Sequence, residues 1–275
     1  MSLPAEKKAE LEKIAKKLRY NIVKMIGAGK PGHLGGSCSI ADILAVLYFH
    51  KMHHKPENPK WPDRDRFLLS KGHAALAQYA ALCEWGYFDE KELATLKELG
   101  TILQGHPEMM RTPGVEANTG SLGQGLSVAC GMALAARLDK KDYKVYCVLG
   151  DGEVAEGQVW EASMAAGCYQ LDNLVGILDK NGIQATGTVA ERYDTNPHVD
   201  KWKAFGWHVI EIDGHNLDQI ADALEEADRV KGKPTMIVAH TIKSKGVPFA
   251  EGKAQFHHGM MTPEQFEEAS KLFAD

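Results

Sequence analysis

Two oxygen-bearing side chains, thirty positions apart, carry the strongest chemical signal in the chain. Asp151 lies in Gly150-Asp151-Gly152-Glu153, directly after the apolar run Val145–Leu149. Asn181 lies in Leu178-Asp-Lys-Asn181-Gly182-Ile183, directly after the apolar run Leu174–Leu178. One carboxylate and one neutral amide carbonyl are hard ligands of the kind Mg²⁺ or Ca²⁺ takes. The flanking glycines let the backbone come close to a phosphate, and free N–H groups there can donate to it. Gly-Asp-Gly alone, or Asn-Gly alone, is a turn; the pair at this spacing, each after a strand, is far more specific. A second signal is histidine: His33, His73, His106 and His258 each stand in a glycine-containing segment. His53, His54, His198, His208, His215 and His240 keep the ordinary reading of a histidine, a surface or satisfied core residue.

The elements that must hold these residues follow from periodicity. Leu11, Ile14, Ala15, Leu18, Ile22, Met25 and Ile26 share one helical face, and the Gly27–Gly32 breaker cluster ends that helix. A second helix is expected at about Ile40–Met52, apolar on most faces and therefore buried. A proline-rich loop follows over Lys55–Asp65, then a short strand at Phe67–Leu69 and helices at about His73–Trp85 and Glu90–Leu99. Residues 100–122 form a long Gly/Pro-rich connection, of a length uncommon unless functional. A small-residue helix is expected at Gly125–Leu138, in the core or at a subunit interface. Strands at Val145–Leu149, Leu174–Leu178, His208–Ile212 and Met236–Ala239 alternate with helices at Gly157–Cys168, Thr195–Phe205 and Leu217–Val230. Asn216 with Gln219, and Thr262-Pro-Glu-Gln265, mark helix starts. Alternation of this kind predicts an α/β fold, a parallel sheet with helices on both faces, in one domain over residues 1–275. Ligands of such sheets bind beyond the carboxyl ends of the strands, where Asp151 and Asn181 fall.

Composition narrows the function class. The chain has 275 residues, 44% hydrophobic and 25% charged, enough for a sizeable core. A formal net charge of −5 argues against nucleic acid as the main partner. No apolar run reaches the length of a membrane span, and the N-terminus is a charged amphipathic helix with no signal-peptide core. Five scattered cysteines without a CxxC pair read as reduced thiols, so a cytoplasmic location is expected.

At this point the sequence resembles a known family. Gly-Asp-Gly followed after thirty residues by Asn is similar to the thiamine diphosphate motif. Lys30-Pro-Gly-His33, Ser70-Lys-Gly-His73-Ala, Gly105-His106-Pro-Glu, Thr119-Gly-Ser-Leu-Gly-Gln-Gly125 and His257-His258-Gly occur in the order found in transketolases. The resemblance runs from about residue 15 to 265. It implies thiamine diphosphate and Mg²⁺ or Ca²⁺ as cofactors, with Asp151, Asn181 and the backbone carbonyl of Ile183 as metal ligands. It implies cofactor contacts from His73, Gly120, Ser121, Leu122, Gly152, Glu153, Asn181, Lys243 and His258. His73 and His258 resemble the family's histidines near the diphosphate and the entrance, and His33 and His106 those that touch the donor's hydroxyl groups and the developing intermediate, so the resemblance gives all four a catalytic role as proton shuttles and donors. Glu156 resembles a carboxylate linking the two halves of the family's active sites. Which of His257 and His258 faces the cofactor stays open.

There are departures. Leu34 stands where many transketolases have proline, Ser121 replaces a proline, and Gly36 takes the place of a serine that contacts cofactor in some relatives. The resemblance also covers only the diphosphate-binding part of a full transketolase. In the family, a pyrimidine-binding domain supplies the glutamate that activates the cofactor. The expectation is therefore an N-terminal subunit of a split transketolase, working in an α2β2 heterotetramer with a C-terminal subunit that carries that domain. It would move a two-carbon ketol unit from a ketose phosphate to an aldose phosphate, as in the pentose phosphate pathway. Alternatives with the same cofactor are a 2-oxoacid decarboxylase or deoxyxylulose-phosphate synthase relative, or a catalytically silent cofactor-binding subunit. A metal-dependent hydrolase is disfavoured, because no short-spaced motif such as HxxEH occurs.

Overall fold

The computed structural model describes residues 3–273. The periodic N-terminal stripe forms α1 (Ala5–Ile26), which buries Leu11, Ala15, Leu18, Ile22 and Ile26. Two short helices follow, α2 (Leu34–Cys38) and α3 (Ala41–Val46), and α3 runs on into a π-helical turn over Leu47–Lys51. Next come β1 (Arg66–Leu69), α4 (Ala75–Trp85), α5 (Gln124–Leu138), β2 (Val145–Gly150), α6 (Gly157–Cys168) and β3 (Leu174–Lys180). A small hairpin of β4 (Ile183–Gln184) and β5 (Gly187–Thr188) precedes α7 (Val189–Arg192) and α8 (His198–Ala204). The chain closes with β6 (His208–Asp213), α9 (Leu217–Arg229), β7 (Thr235–His240) and α10 (Pro263–Phe273).

The main sheet has five strands in the order β1-β2-β3-β7-β6, and every neighbouring pair is parallel. Strand alternation sends Tyr146, Val148, Val175, Ile177 and Ile237 into a core shared with α1, α3, α4 and α9. Val145, Cys147, Leu149, Leu174, Leu178 and Val238 enter a second core on the opposite face, against α5, α6 and α8. With both faces covered, the strands can be apolar throughout, as parallel sheets usually are. Gly150 is in register with Asp179, and Lys180 with His240, so β2, β3 and β7 leave the sheet together on one rim.

Some expected boundaries shift for identifiable reasons. The segment expected as a helix over Glu90–Leu99 forms only a 3₁₀ stretch, Glu90–Thr95: Lys97 has φ 64° and Leu99 is fully exposed, so no continuous apolar stripe holds a longer helix. The helix expected from Thr195 starts at His198, because Asn196 precedes proline and is kept out of helical geometry. Thr195 is instead buried, its hydroxyl donating to the Asp151 carbonyl at 3.0 Å. β3 extends past Leu178 because Asp179 and Lys180 continue the pairing with β7. The β4–β5 hairpin, two residues per strand, gave too short a pattern to read.

At α9 the Asn216 side chain accepts from the N–H groups of Asp218 and Gln219 at 3.1 and 3.2 Å. Gln219 does not return the bond to Asn216; its side chain accepts from Asp213 N–H instead. Asn216→Ala is expected to lower unfolding free energy by about 1 kcal/mol in a urea titration, with the denaturant slope unchanged.

Candidate active site

The carboxyl ends of β1, β2, β3 and β7 surround a cavity of about 270 Å³, lined among others by His33, His73, Asp151, Asn181 and Lys243. Lys71 in its lining belongs to a buried ion pair. Asp179 has no solvent exposure, and Lys71 is 2% exposed. Lys71 Nζ donates to Asp179 Oδ2 at 2.5 Å and to the Gly36 carbonyl at 2.7 Å. Ser39 and Asn181 also donate to Asp179 Oδ2, at 2.7 and 2.8 Å, and Thr241 donates to Oδ1. Burial alone would raise the Asp179 pKa, but the Lys71 charge and these donors hold it below the ordinary carboxylate value.

The Asp179–Asn181 bond has a chemical consequence. A carboxylate can only accept, so the Asn181 NH₂ must face Asp179 and the Asn181 Oδ1 must face the other way. That oxygen accepts Ile183 N–H at 3.1 Å. Gly182, at φ 76°, makes the turn between them, and its N–H donates to Asp151 Oδ2 at 2.5 Å. Asp151 Oδ1 accepts Gly152 N–H at 2.8 Å. Asp151 and Asn181 are therefore brought side by side, each with its backbone turn folded around the carboxylate. Burial, and then the Asp179 charge, push the Asp151 pKa up to about 6. Lys243, 2% exposed, reaches the Ile183 carbonyl at 2.6 Å. Burial, and then the Lys71 charge, lower its pKa to about 8.

Histidines form the wall. The His33 ring centroid lies 5.0 Å from that of His73 and 4.3 Å from that of His258, and the His73 and His257 rings are 4.9 Å apart. His257 lines the cavity, whereas His258 is exposed and packs on His33 at the mouth. Burial first, and then the neighbouring charged and imidazole groups, lower His33 to about 3, His73 to about 2 and His257 to about 4. At neutral pH these rings are uncharged and can both donate and accept. Buried Nδ1 atoms of His33 and His257 have no hydrogen-bond partner within the described chain, nor does Gln184 Nε2 on the cavity wall.

Other expected site residues take up varied places. Gly120, Leu122, Gly152 and Glu153 line the cavity. Glu153 is 3% exposed and accepts from Ser70 and from the N–H groups of Gly123 and Gly150, so it braces the loops around the site. Burial raises its pKa. His106, Ser121 and Glu156 are exposed and outside the lining. His106 still sits against the site, since a Cβ on Gly120 would lie 3.2 Å from its ring. Sequence reasoning assigned no role to Lys71, Asp179 or Gln184, and left His257 open against His258. For Asp179 a signal existed: a charge inside an apolar strand, two residues before Asn181 and hence on the same side.

The residues fit a diphosphate held through a divalent ion. Asp151 and Asn181 supply hard oxygens, Lys71 and Lys243 supply positive charge, and His33, His257 and Gln184, each with an unpartnered buried nitrogen, line the same cavity. A side chain on Gly36 would place its Cβ 3.6 Å from both His73 Nε2 and Lys71 Nζ, inside the space a ligand would use. Among the described residues no cluster of three or more His, Cys, Asp or Glu could hold a metal by itself, so an ion here needs amide, carbonyl and ligand oxygens to complete its shell.

Residues 10–273 match the family described as "Transketolase, thiamine diphosphate binding domain". The chain belongs to this family. It is 48% identical to the 6-deoxy-6-sulfo-D-fructose transketolase subunit SqwG of Clostridium sp. (strain MSTE9), with 96% of each chain covered. It is 45% identical to an apulose-4-phosphate transketolase subunit of Phocaeicola vulgatus, covering 94% of this chain and 92% of that one. Against the human transketolase it is 42% identical over 92% of its length, but spans 40% of that protein. The transketolase of Leishmania mexicana superposes with a TM-score of 0.90 at 35% identity, over 96% of this chain and 41% of that one. The family's parallel sheet with helices on both faces is thus the fold observed.

Two outcomes test the site as described. Asp179→Asn leaves the Lys71 cation buried without its anion and is expected to cost about 3–5 kcal/mol of stability, measured by denaturant unfolding. For the histidines, the unfolded chain takes up protons below about pH 6.5 while the folded rings stay neutral until their depressed values. Stability is expected to fall as pH drops from 6.5 toward 4, and His73→Asn to flatten that slope in thermal melts.

Proposed function

We propose that the chain is the diphosphate-binding subunit of a two-subunit transketolase, transferring a two-carbon ketol unit between phosphorylated, or similarly anionic, sugars. The observation that carries this reading is the convergence of Asp151, Asn181 and Lys243 with a wall of neutral histidines on one rim. The two relatives that it matches along nearly their whole length are named as transketolase subunits. Those names support a separate partner chain; the reading assigns to it the pyrimidine-binding part, in an α2β2 assembly. Among the described residues no helix is long and apolar enough to cross a membrane; the reading keeps the cytoplasmic setting expected from the five scattered cysteines.

In this reading Asp151, the Asn181 side-chain oxygen and the Ile183 carbonyl hold Mg²⁺ or Ca²⁺, and the Gly152 N–H, His73 and Lys243 face the diphosphate. Gly120, Ser121 and Leu122 form the loop beside the rest of the cofactor. When bound, thiamine diphosphate supplies the nucleophilic carbon that accepts the two-carbon unit. The protein's share is orientation and proton handling. His33 and His257, uncharged at neutral pH, can donate to a substrate hydroxyl through one ring nitrogen and accept through the other. His106 and His258 stand exposed at the mouth, where they can meet a sugar hydroxyl and the partner chain. Glu156, exposed just before α6, is assigned in this reading to link this site with a neighbouring chain. Glu153, in the cavity lining, serves the cofactor site by bracing the loops around it through Ser70, Gly123 and Gly150.

Asp151→Ala is expected to weaken both Mg²⁺ and thiamine diphosphate binding by more than a hundredfold in calorimetric titration, while circular dichroism stays native. Ketol transfer is expected to need the partner: the purified chain with cofactor and Mg²⁺ should show under about 1% of the rate of the reconstituted pair. Full transfer by this chain alone contradicts the two-subunit reading. CO₂ release from a 2-oxoacid by the pair, without ketol transfer, favours the decarboxylase alternative instead.

A further inference from the structure

The Lys243 ammonium holds the Ile183 carbonyl at 2.6 Å, and that carbonyl is one of the oxygens assigned above to the metal. The ammonium also interacts favourably with Asp151 and Asp179 and is repelled by Lys71. Its backbone is fixed on both sides: Ser244 N–H donates to the Gly35 carbonyl at 3.1 Å, and Gly252 N–H to the Lys243 carbonyl at 3.0 Å. Its stem runs so tightly over Gly35 that a Cβ there would lie 2.9 Å from Lys243 Cγ and Cε. Only the far end of the side chain has freedom to change partner.

We propose that Lys243 is the resident counter-cation of the metal position, competing with the divalent ion for the Ile183 carbonyl and the Asp151 field. The inference rests on the metal assignment made under Proposed function. The buried charges here are Asp151, Glu153 and Asp179 against Lys71 and Lys243, which leaves one net negative charge when all are ionised. A divalent ion arriving alone turns that into net positive charge and meets an ammonium already in place. A divalent ion arriving with a diphosphate brings the anion that Lys243 can turn to. Metal and diphosphate therefore assist each other's binding, and Lys243 is the residue that makes metal alone bind poorly.

The sign of one substitution separates this role from a merely structural one. Mn²⁺ alone is titrated into the full chain by electron paramagnetic resonance or calorimetry, for wild type, Lys243→Met, Lys243→Gln and Lys243→Arg. The neutral variants are expected to bind Mn²⁺ about tenfold tighter or better, at least the scale of removing one like charge from a buried site. Their affinity for thiamine diphosphate at saturating Mg²⁺ is expected to fall, while Lys243→Arg keeps the wild-type Mn²⁺ affinity. A folding defect lowers both affinities, and thermal melts of the two neutral variants identify it. Unchanged or weaker Mn²⁺ binding in a neutral variant with a native melt overturns the proposal. Asp151→Asn serves as the control: if it abolishes Mn²⁺ binding while Lys243→Met fails to strengthen it, only the competition is wrong. If Asp151→Asn leaves Mn²⁺ binding intact, the metal assignment falls, and the competition with it.

Discussion

A carboxylate without any solvent exposure must be fully paired, and Asp179 is such a carboxylate. Its partners come from four separate parts of the chain: Lys71 after β1, Ser39 after α2, Asn181 after β3 and Thr241 after β7. Satisfying that one anion joins three strand ends and a short helix into a rim. It also decides which way the Asn181 amide faces and where the Lys71 ammonium stands. The remaining features of the site, from the Asp151 turn to the Lys243 contact, are built on this frame. Breaking the pair by removing one member leaves the other charge stranded, which is why such a pair is costly to disturb even where its net contribution to stability is small.

Burial gives the histidine wall its chemistry. Rings packed on one another and beside lysines cannot take up a second charge near pH 7, so they remain neutral and bifunctional. A neutral imidazole orients a hydroxyl and can move its proton without carrying fixed positive charge into the cavity. The cationic share is left to Lys71 and Lys243, beside which an anionic diphosphate would lie. Neutral rings and buried ammonium groups thus line one cavity together, with His73 Nε2 and Lys71 Nζ both beside Gly36.

Much of this was legible in the sequence, because the relevant signals are local. Asp151 and Asn181 follow apolar runs that form β2 and β3, and Gly182 supplies the left-handed turn that Asn-Gly implies. The histidines were marked by glycine context rather than by spacing, and His33 and His73 do line the cavity. Partnership across the fold was not legible. Lys71 was visible within Ser70-Lys-Gly-His73, but nothing local states that its partner lies 108 positions away. His257 and His258 are adjacent, and only packing against His33 and His73 decides which one turns inward. The short 3₁₀ stretch at Glu90–Thr95 was overread as a helix because charged residues with good helical propensity lack an apolar face to bury.

The central claim is that a divalent ion bridges this rim to a diphosphate through Asp151 and Asn181. Its most direct test is a crystal of the reconstituted complex grown with Mn²⁺ and thiamine diphosphate, with data collected at the manganese edge. The account predicts one anomalous peak in the cavity, bonded to an Asp151 carboxylate oxygen, the Asn181 side-chain oxygen and a diphosphate oxygen. A bound diphosphate whose manganese lies away from both side chains, or a diphosphate seated elsewhere on the chain, would contradict it.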